Sequence, residues 1–159
     1  MAQFYEVYIA RYPLAMQDPD VPDTGTRYHT TIFVQTSPDG SGSLHQVTGD
    51  ITAPDGMTYL VQDKRVQDQI QLPHSLEKLG VTLAATYPEQ WEEVLGSVPT
   101  PPQQKAFNVL TMRTEPFKTK DPLTFYEPGE ERGPLVKCTE WTMDRAIPAL
   151  RKAGLLLDG

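Results

Sequence analysis

Three side chains in this sequence have the chemistry of a nucleophile with proton-transfer partners: the single cysteine, Cys138, and two histidines of the first third, His29 and His45. Cys138 comes just before a run with helical periodicity, and a thiol in the first turn of a helix feels the positive end of the backbone dipole. This environment favours the thiolate, which is the nucleophilic form. The alternative is a small buried hydrophobe without reactivity, a common role of a lone cysteine.

His29 and His45 lie in two segments that are typical of the arms of a β-hairpin. Residues 27–36 and 43–48 are rich in β-branched and aromatic side chains and flank a Pro-Asp-Gly turn signal at 38–40. With a turn there, the two imidazoles are cross-strand neighbours about 5 Å apart at Cβ if they share a face. A one-residue shift in register would place them on opposite faces.

A thiol can use such a pair in a definite way. The nearer imidazole holds the thiolate as an ion pair and later protonates the leaving group. A second polar side chain on the far ring nitrogen fixes the tautomer, as the third member of a catalytic triad does. The alternative is that both histidines are strand residues that bond to neighbouring backbone.

Metal binding is the minor alternative for the same residues. Cys138, His29 and His45 would supply three N/S ligands, the number found in catalytic zinc sites. No Cys-x-x-Cys or His-x-x-x-His spacing supports this, and no glycine-rich phosphate loop follows a strand, so no cofactor is expected. The third histidine, His74, is in a polar segment, and we expect it at the surface.

The rest of the pattern predicts an α+β fold with an antiparallel sheet. Strands are expected at 3–11, 27–36, 43–48, 57–62, 81–87 and 106–112, and a short helix from Pro88 to about Gly96. Residues 63–73 fit either a helix or a loop. Residues 114–133 contain three prolines and two glycines, which predicts a long irregular loop, either a lid or a surface excursion.

The closing helix is expected to begin at Cys138 and to pack one face against the sheet. That face repeats at three- and four-residue steps and comprises Cys138, Trp141, Thr142, Ala146, Ala149 and Ala153. Trp141 is expected to anchor the helix in the core. Pro148 should kink or break the helix, because it cannot donate to a carbonyl one turn back, and Gly154 suits a C-terminal cap.

Composition limits the kind of protein further. A length of 159 residues suits a single domain, 1–159. The net charge of −7 argues against a nucleic-acid partner, which needs a basic stripe. One cysteine excludes an internal disulfide and fits a reducing, cytoplasmic compartment. Neither an export signal nor an apolar run near the roughly 20 residues of a membrane span is visible.

The order of these motifs resembles the circularly permuted branch of the papain-like superfamily. A Tyr-His strand at 28–34 is followed by a strand with Leu-His-Gln-Val at 44–47 and, late in the chain, by Lys-Cys-Thr-Glu-Trp at 137–141. Similar arrangements occur in the NlpC-type peptidases, in the lecithin:retinol acyltransferase group and, in a closer version, in small fungal proteins of uncharacterised function. The resemblance implies a permuted papain-like fold with its nucleophile helix at the C-terminus.

Carried over to this sequence, the resemblance makes Cys138 the nucleophile, His29 the base and His45 the residue that orients His29. Two departures lie beside these positions. Lys137 stands where the family usually has asparagine, and Thr30-Thr31 replace the small residues that follow the histidine. Neither removes a catalytic group, and the Lys137 ammonium would further favour a thiolate.

Two functions remain open from the sequence. The first is a cysteine-dependent hydrolase or acyltransferase that acts on an amide, ester or thioester of a small or peptide-like molecule through an acyl-enzyme on Cys138. The second is a binding or interaction module that keeps the scaffold without turnover. Alkylation separates them, because a catalytic Cys138 should react with iodoacetamide well below pH ~8.5, the value for an unperturbed thiol.

Overall fold

The computed structural model describes residues 2–14, 28–64, 73 and 75–159, and all structural statements below concern these residues. His74 therefore lies outside the described residues. So do most of the residues between the first two predicted strands and most of the polar segment at 63–73, which fits either a helix or a loop.

The main sheet has five antiparallel strands in the order β4-β3-β2-β1-β5. Their bounds are β1 Phe4–Pro13, β2 Tyr28–Gln35, β3 Gly42–Thr48, β4 Thr58–Lys64 and β5 Ser75–Leu83. The hairpin of β2 and β3 is confirmed, with Gly40 in the left-handed region of its turn (φ 96°). β5 differs from the prediction of 81–87: it begins earlier, and a 3₁₀ turn, Ala84–Thr86, follows it. Its first half is charged and exposed, as edge strands often are, so it lacks a core-facing pattern.

Helix α1 spans Glu89–Ser97, and Pro88 is the residue that precedes its first turn. Trp91 and Leu95 are its buried side chains, one turn apart, and both enter the core. The predicted short helix is therefore confirmed, with its start one residue later than the expectation that Pro88 would be the first helical position.

The C-terminal helical segment begins at Cys138, as predicted. It consists of α2 Cys138–Glu140, a π-helical stretch Trp141–Ala146 and α3 Ile147–Lys152. The chain stays helical through Pro148, because the preceding turns bond from residue i to i+5, as in the hydrogen bond from the Ile147 N–H to the Thr142 carbonyl. Gly154 has φ 74° and caps the segment, so that prediction is confirmed.

The π-helical turn also changes which residues face the core. Cys138, Trp141, Thr142 and Ala146 are buried, as the periodicity predicts. Farther along, Ile147 and Leu150 are buried, whereas Ala149 is only half-buried and Ala153 is exposed. Because a π-helical turn holds more residues than an α-helical turn, the buried face moves along the sequence after it.

A second, three-stranded antiparallel sheet follows α1 and consists of β6 Lys105–Asn108, β7 Arg113–Lys120 and β8 Leu123–Phe125. The strand predicted at 106–112 is confirmed for 106–108 and ends earlier than expected, and the loop predicted at 114–133 is wrong for the residues of β7 and β8. Pro116 is tolerated in β7 because it lies at the last pair of the β6–β7 ladder and before the first pair of the β7–β8 ladder. Pro122 lies in the short turn between β7 and β8, and only residues 126–137 are irregular.

The core lies between one face of the main sheet and the helices. Its largest fully buried side chains include Trp91, Trp141, Ile32, Ile51 and Leu150. Trp141 is 0% exposed, so the expectation that it anchors the closing helix is confirmed. The fold is therefore α+β with an antiparallel sheet and a C-terminal helix. In the part of the chain that the structure covers, no helix has the length and apolar character that a membrane crossing requires.

Candidate active site

Cys138 docks at the open end of the ladder between β2 and β3. The ladder ends at the pair Ile32–His45, and beyond it backbone groups of β2 bond to the C-terminal helical segment. The Cys138 sulfur lies 3.9 Å from the Tyr28 carbonyl oxygen and accepts a hydrogen bond from the Thr30 N–H. Thr142 Oγ1 donates to the Thr30 carbonyl at 3.2 Å. The start of the helix thus bonds to the part of β2 that does not pair with β3.

The segment before Cys138 is held by a side-chain clamp. Gln104 Nε2 donates to the Val136 carbonyl at 2.6 Å, and the Val136 N–H donates to Gln104 Oε1 at 2.7 Å. One residue later, the Lys137 N–H donates to the Glu140 carboxylate at 2.8 Å, which satisfies a backbone donor at the start of the helix. These bonds fix the backbone on which the thiol is carried.

The structure brings Cys138 and His29 together. Both side chains line one cleft, and a hydrogen bond between them is the main cause of the shift in the pKa of His29, although the two residues are 109 positions apart in the sequence. This bond raises the pKa of the His29 imidazole above its usual range; burial acts in the opposite direction. Burial raises the pKa of the Cys138 thiol, but the hydrogen bonds from His29 and from the Thr30 N–H outweigh it and hold this pKa below its usual value. Both shifts favour a thiolate–imidazolium pair.

His45 does not join this pair, and its assignment as the orienting residue is corrected here. Its side chain is fully buried, and both ring nitrogens are engaged, Nδ1 with the Tyr59 hydroxyl at 2.7 Å and Nε2 with the Tyr87 hydroxyl at 2.8 Å. Burial lowers the pKa of His45 to about 4, so the ring is neutral at pH 7. The residue is part of the core rather than of the site.

The register of the hairpin explains the correction. Ile32 pairs with His45, and continuing this antiparallel alternation places His29 three residues away, opposite Thr48. Since successive side chains alternate between faces, His29 shares a face with Gln46, and His45 lies on the other face. The sequence left the register open, and the structure has the register that places the two imidazoles on opposite faces of the sheet.

Gln46 takes the position that the sequence had assigned to His45. Its Oε1 lies 2.6 Å from His29 Nε2, and its Nε2 donates to Gln62 Oε1 at 3.0 Å. The bond to Gln62 fixes the amide so that its oxygen points at the imidazole. The His29 Nε2 must then carry the proton, which leaves Nδ1 for the sulfur. The signal for Gln46 in the sequence was its place next to His45, on the opposite face of the same strand.

A cleft of about 270 Å³ opens beside the sulfur, and Cys138 and His29 both line it. Its wall includes the apolar side chains of Leu14, Val47, Ile51 and Met57. Cys138 itself is only 7% exposed. The thiol is thus buried against β2 and reachable from this cleft. The described residues contain no cluster of three or more His, Cys, Asp or Glu side chains that could hold a metal ion.

Comparison with known proteins gives one family. The model of a family of unknown function, DUF6540, matches residues 14–157, which include Cys138, His29 and Gln46. No curated protein and no solved structure matches the chain.

Proposed function

The chain belongs to the DUF6540 family, and we propose that it is a cysteine-dependent hydrolase or acyltransferase. Cys138 is the nucleophile, His29 the general base and acid, and Gln46 the residue that orients His29. The substrate is an amide, ester or thioester of a small or peptide-like molecule. The single observation that carries the proposal is the placement of Cys138 beside His29 in one cleft, where each favours the charged form of the other and Gln46 is hydrogen-bonded to His29 Nε2.

The reaction follows from this chain of groups. His29 Nδ1 takes the thiol proton, and the thiolate attacks the carbonyl carbon, so that a C–S bond forms and the carbonyl electrons move to oxygen. The Cys138 N–H, at the first position of the helix, lies beside this oxyanion. Collapse breaks the bond to the leaving group, which receives its proton from His29. Water or an acceptor then attacks the thioester, His29 takes the attacking proton, and the thiol is restored.

The role of Gln46 is to keep His29 in one tautomer and one orientation. Its amide oxygen accepts from Nε2, so it stabilises the imidazolium that forms when Nδ1 takes a proton. A neutral amide does this without adding a charge to the site. Gln46 is 4% exposed, so solvent does not compete for this bond.

The arrangement also supports a permuted papain-like fold as part of the proposal. The general base lies on an early strand of an antiparallel sheet, and the nucleophile begins a helix near the end of the chain and packs against that strand. We place the activity in the reducing cytoplasm, where a thiol that acts through its thiolate stays reduced.

Mass spectrometry of the intact protein with an activated acyl donor tests the proposal. After incubation with p-nitrophenyl acetate, wild type should carry one acetyl group that turns over, and Cys138→Ala should carry none. His29→Ala should be acylated far more slowly, because the thiol loses its general base and the hydrogen bond and charge of His29 no longer lower its pKa against the effect of burial. Equal labelling of wild type and Cys138→Ala would locate the adduct on other side chains and overturn the proposal. A protein that only binds its partner would give that result.

A further inference from the structure

Two threonine hydroxyl groups lie near Cys138, and the reaction proposed above does not use them. Thr139 is the second residue of α2, and its Oγ1 lies 2.9 Å from the Oγ1 of Thr30 in β2. This distance is that of a hydrogen bond between two hydroxyl groups. Thr30 is only 2% exposed, and Thr139 is half-buried. The pair therefore links β2 to the start of the helix at the residue that follows the thiol.

The sulfur and the Thr139 hydroxyl approach the same backbone acceptor. Thr139 Oγ1 lies 3.4 Å from the Tyr28 carbonyl oxygen, and the Cys138 sulfur lies 3.9 Å from that oxygen. Thr30 bonds to both groups, because its N–H donates to the sulfur and its hydroxyl is bonded to Thr139. The two threonines and the thiol thus form one small polar group between β2 and the helix.

The proton of the Thr139 hydroxyl has a choice of acceptors. A hydroxyl group donates one hydrogen bond and can also accept, so Thr139 can accept from Thr30 and donate elsewhere. At 3.4 Å the Tyr28 carbonyl holds this proton weakly, because O–H···O hydrogen bonds are normally about 2.5–3.0 Å long. A charged acceptor makes a hydrogen bond roughly twice as strong as a neutral one. A thiolate at Cys138 should therefore attract the Thr139 proton away from the carbonyl.

The pKa of Cys138 agrees with a donor at this position. Burial raises this pKa, and the hydrogen bonds from His29 and the Thr30 N–H lower it; a hydrogen bond from the Thr139 side chain lowers it as well. Thr30 is also one of the two threonines that replace the small residues of the papain-like pattern. The replacement supplies the hydroxyl that bonds to Thr139.

We propose that the Thr139 hydroxyl donates a hydrogen bond to the Cys138 thiolate and that Thr30 is a positioning residue, which holds this hydroxyl in its donating orientation. This inference rests on the proposed function and adds two residues to the same site. When His29 takes the thiol proton, the Thr139 O–H turns to the sulfur and stabilises its charge. When the C–S bond forms, the sulfur becomes neutral and the O–H returns to the Tyr28 carbonyl. Neither threonine gains or loses a proton in this sequence.

The pH dependence of iodoacetamide alkylation tests this without a substrate. Thr139→Val keeps the branched shape and removes the hydroxyl, so the pH at which Cys138 becomes reactive should rise by about one unit. Thr139→Ser keeps the hydroxyl and should retain the wild-type profile. Thr30→Val should raise the pH by less. The double variant should match Thr139→Val alone, because Thr30 acts through Thr139.

Thr31→Val is the matched control. Thr31 is also buried in β2, but its hydroxyl donates to the Ala10 carbonyl at 3.0 Å, and it lies on the opposite face of the strand from Thr30. This variant should keep the wild-type alkylation profile. Circular dichroism shows whether each variant is folded, and Thr139→Ala makes the same test if Thr139→Val does not fold.

The outcomes separate this inference from the proposed function. A wild-type profile in the folded variant without the Thr139 hydroxyl, or an equal shift in Thr139→Ser, would overturn the inference. Cys138-dependent acylation by p-nitrophenyl acetate would then still support the proposed function. Absence of that acylation would reject the proposed function, and the alkylation profiles would still decide whether Thr139 bonds to the thiolate.

Discussion

Replacing Gln46 by Ala is the sharpest perturbation of the proposed site. The change removes the 2.6 Å hydrogen bond that holds the proton of His29 Nε2 and leaves the thiol, the imidazole and the cleft unchanged. Since Gln46 raises the pKa of His29, its loss should lower that pKa. A weaker imidazolium stabilises the thiolate less, so the pKa of Cys138 should rise.

The magnitude follows from the kind of bond that is lost. A hydrogen bond to a charged group contributes about 1.5–3 kcal/mol, and 1.36 kcal/mol corresponds to one pKa unit. The pH at which Cys138 becomes reactive should therefore move up by about 1–2 units. By the same conversion, kcat/KM for an activated ester should fall by about 10- to 150-fold.

Iodoacetamide alkylation measures this without knowledge of the natural substrate. Second-order rate constants between about pH 5 and pH 9.5, read from the mass of the intact protein, give the pKa of the thiol. Gln62→Ala is the graded comparison, because it keeps the bond between Gln46 and His29 and removes the bond from an exposed side chain that orients the Gln46 amide. It should move the profile by less than about half a unit.

Gln46→Glu extends the test in the other direction. A carboxylate at this position should raise the pKa of His29 further and hold the ion pair to higher pH. If the pH dependence of alkylation is the same in Gln46→Ala as in wild type but shifts in His29→Ala, then Gln46 does not orient the imidazole. In that case Gln46 is not part of the catalytic unit.

Three further outcomes are expected. Burial lowers the folded-state pKa of His45 to about 4, so protonation of this ring favours unfolding. The free energy of unfolding should therefore fall by about 3 kcal/mol between pH 6.5 and 4. Denaturant melts should show this fall in the wild-type protein and not in His45→Gln. Gln104→Leu should lower kcat/KM for p-nitrophenyl acetate about tenfold, because it releases the Val136 backbone before Cys138. An unchanged rate would show that the bonds from Gln104 do not position the thiol. Gly154→Ala should lower the free energy of unfolding by about 1 kcal/mol, because φ is 74° there; Gly96→Ala, in α1 with open space around it, should raise that free energy by up to about 1 kcal/mol. Thermal melts of the two glycine variants should thus shift in opposite directions.

Strong local signals explain the elements that the sequence predicted well. The hairpin of β2 and β3 follows from β-branched and aromatic runs around a Pro-Asp-Gly turn, and the helix start at Cys138 and the cap at Gly154 follow from local chemistry. Most of the second sheet was missed because β7 contains four charged residues and Pro116, and Pro122 lies in the turn before β8. Their strand conformation depends on pairing with neighbours, and no periodicity within the segment shows it.

The buried face of the closing helix shows a second limit of local reasoning. The three- and four-residue spacing is right up to Ala146 and fails beyond it. The reason is the π-helical turn at 141–146, which carries the chain past Pro148 without a break and moves the face to Ile147 and Leu150. Periodicity assumes one helix type, so it cannot show where that type changes.

By itself, the sequence determined the residue types available for chemistry, the antiparallel hairpin that carries His29, and the helix that carries Cys138. The tertiary structure decided which polar group completes the site. One step in the register of β2 and β3 places His45 in the core with Tyr59 and Tyr87, and turns Gln46 toward His29. Register is set by the packing of whole sheet faces against the helices, and side chains alternate along a strand, so a single step exchanges every neighbour of the imidazole.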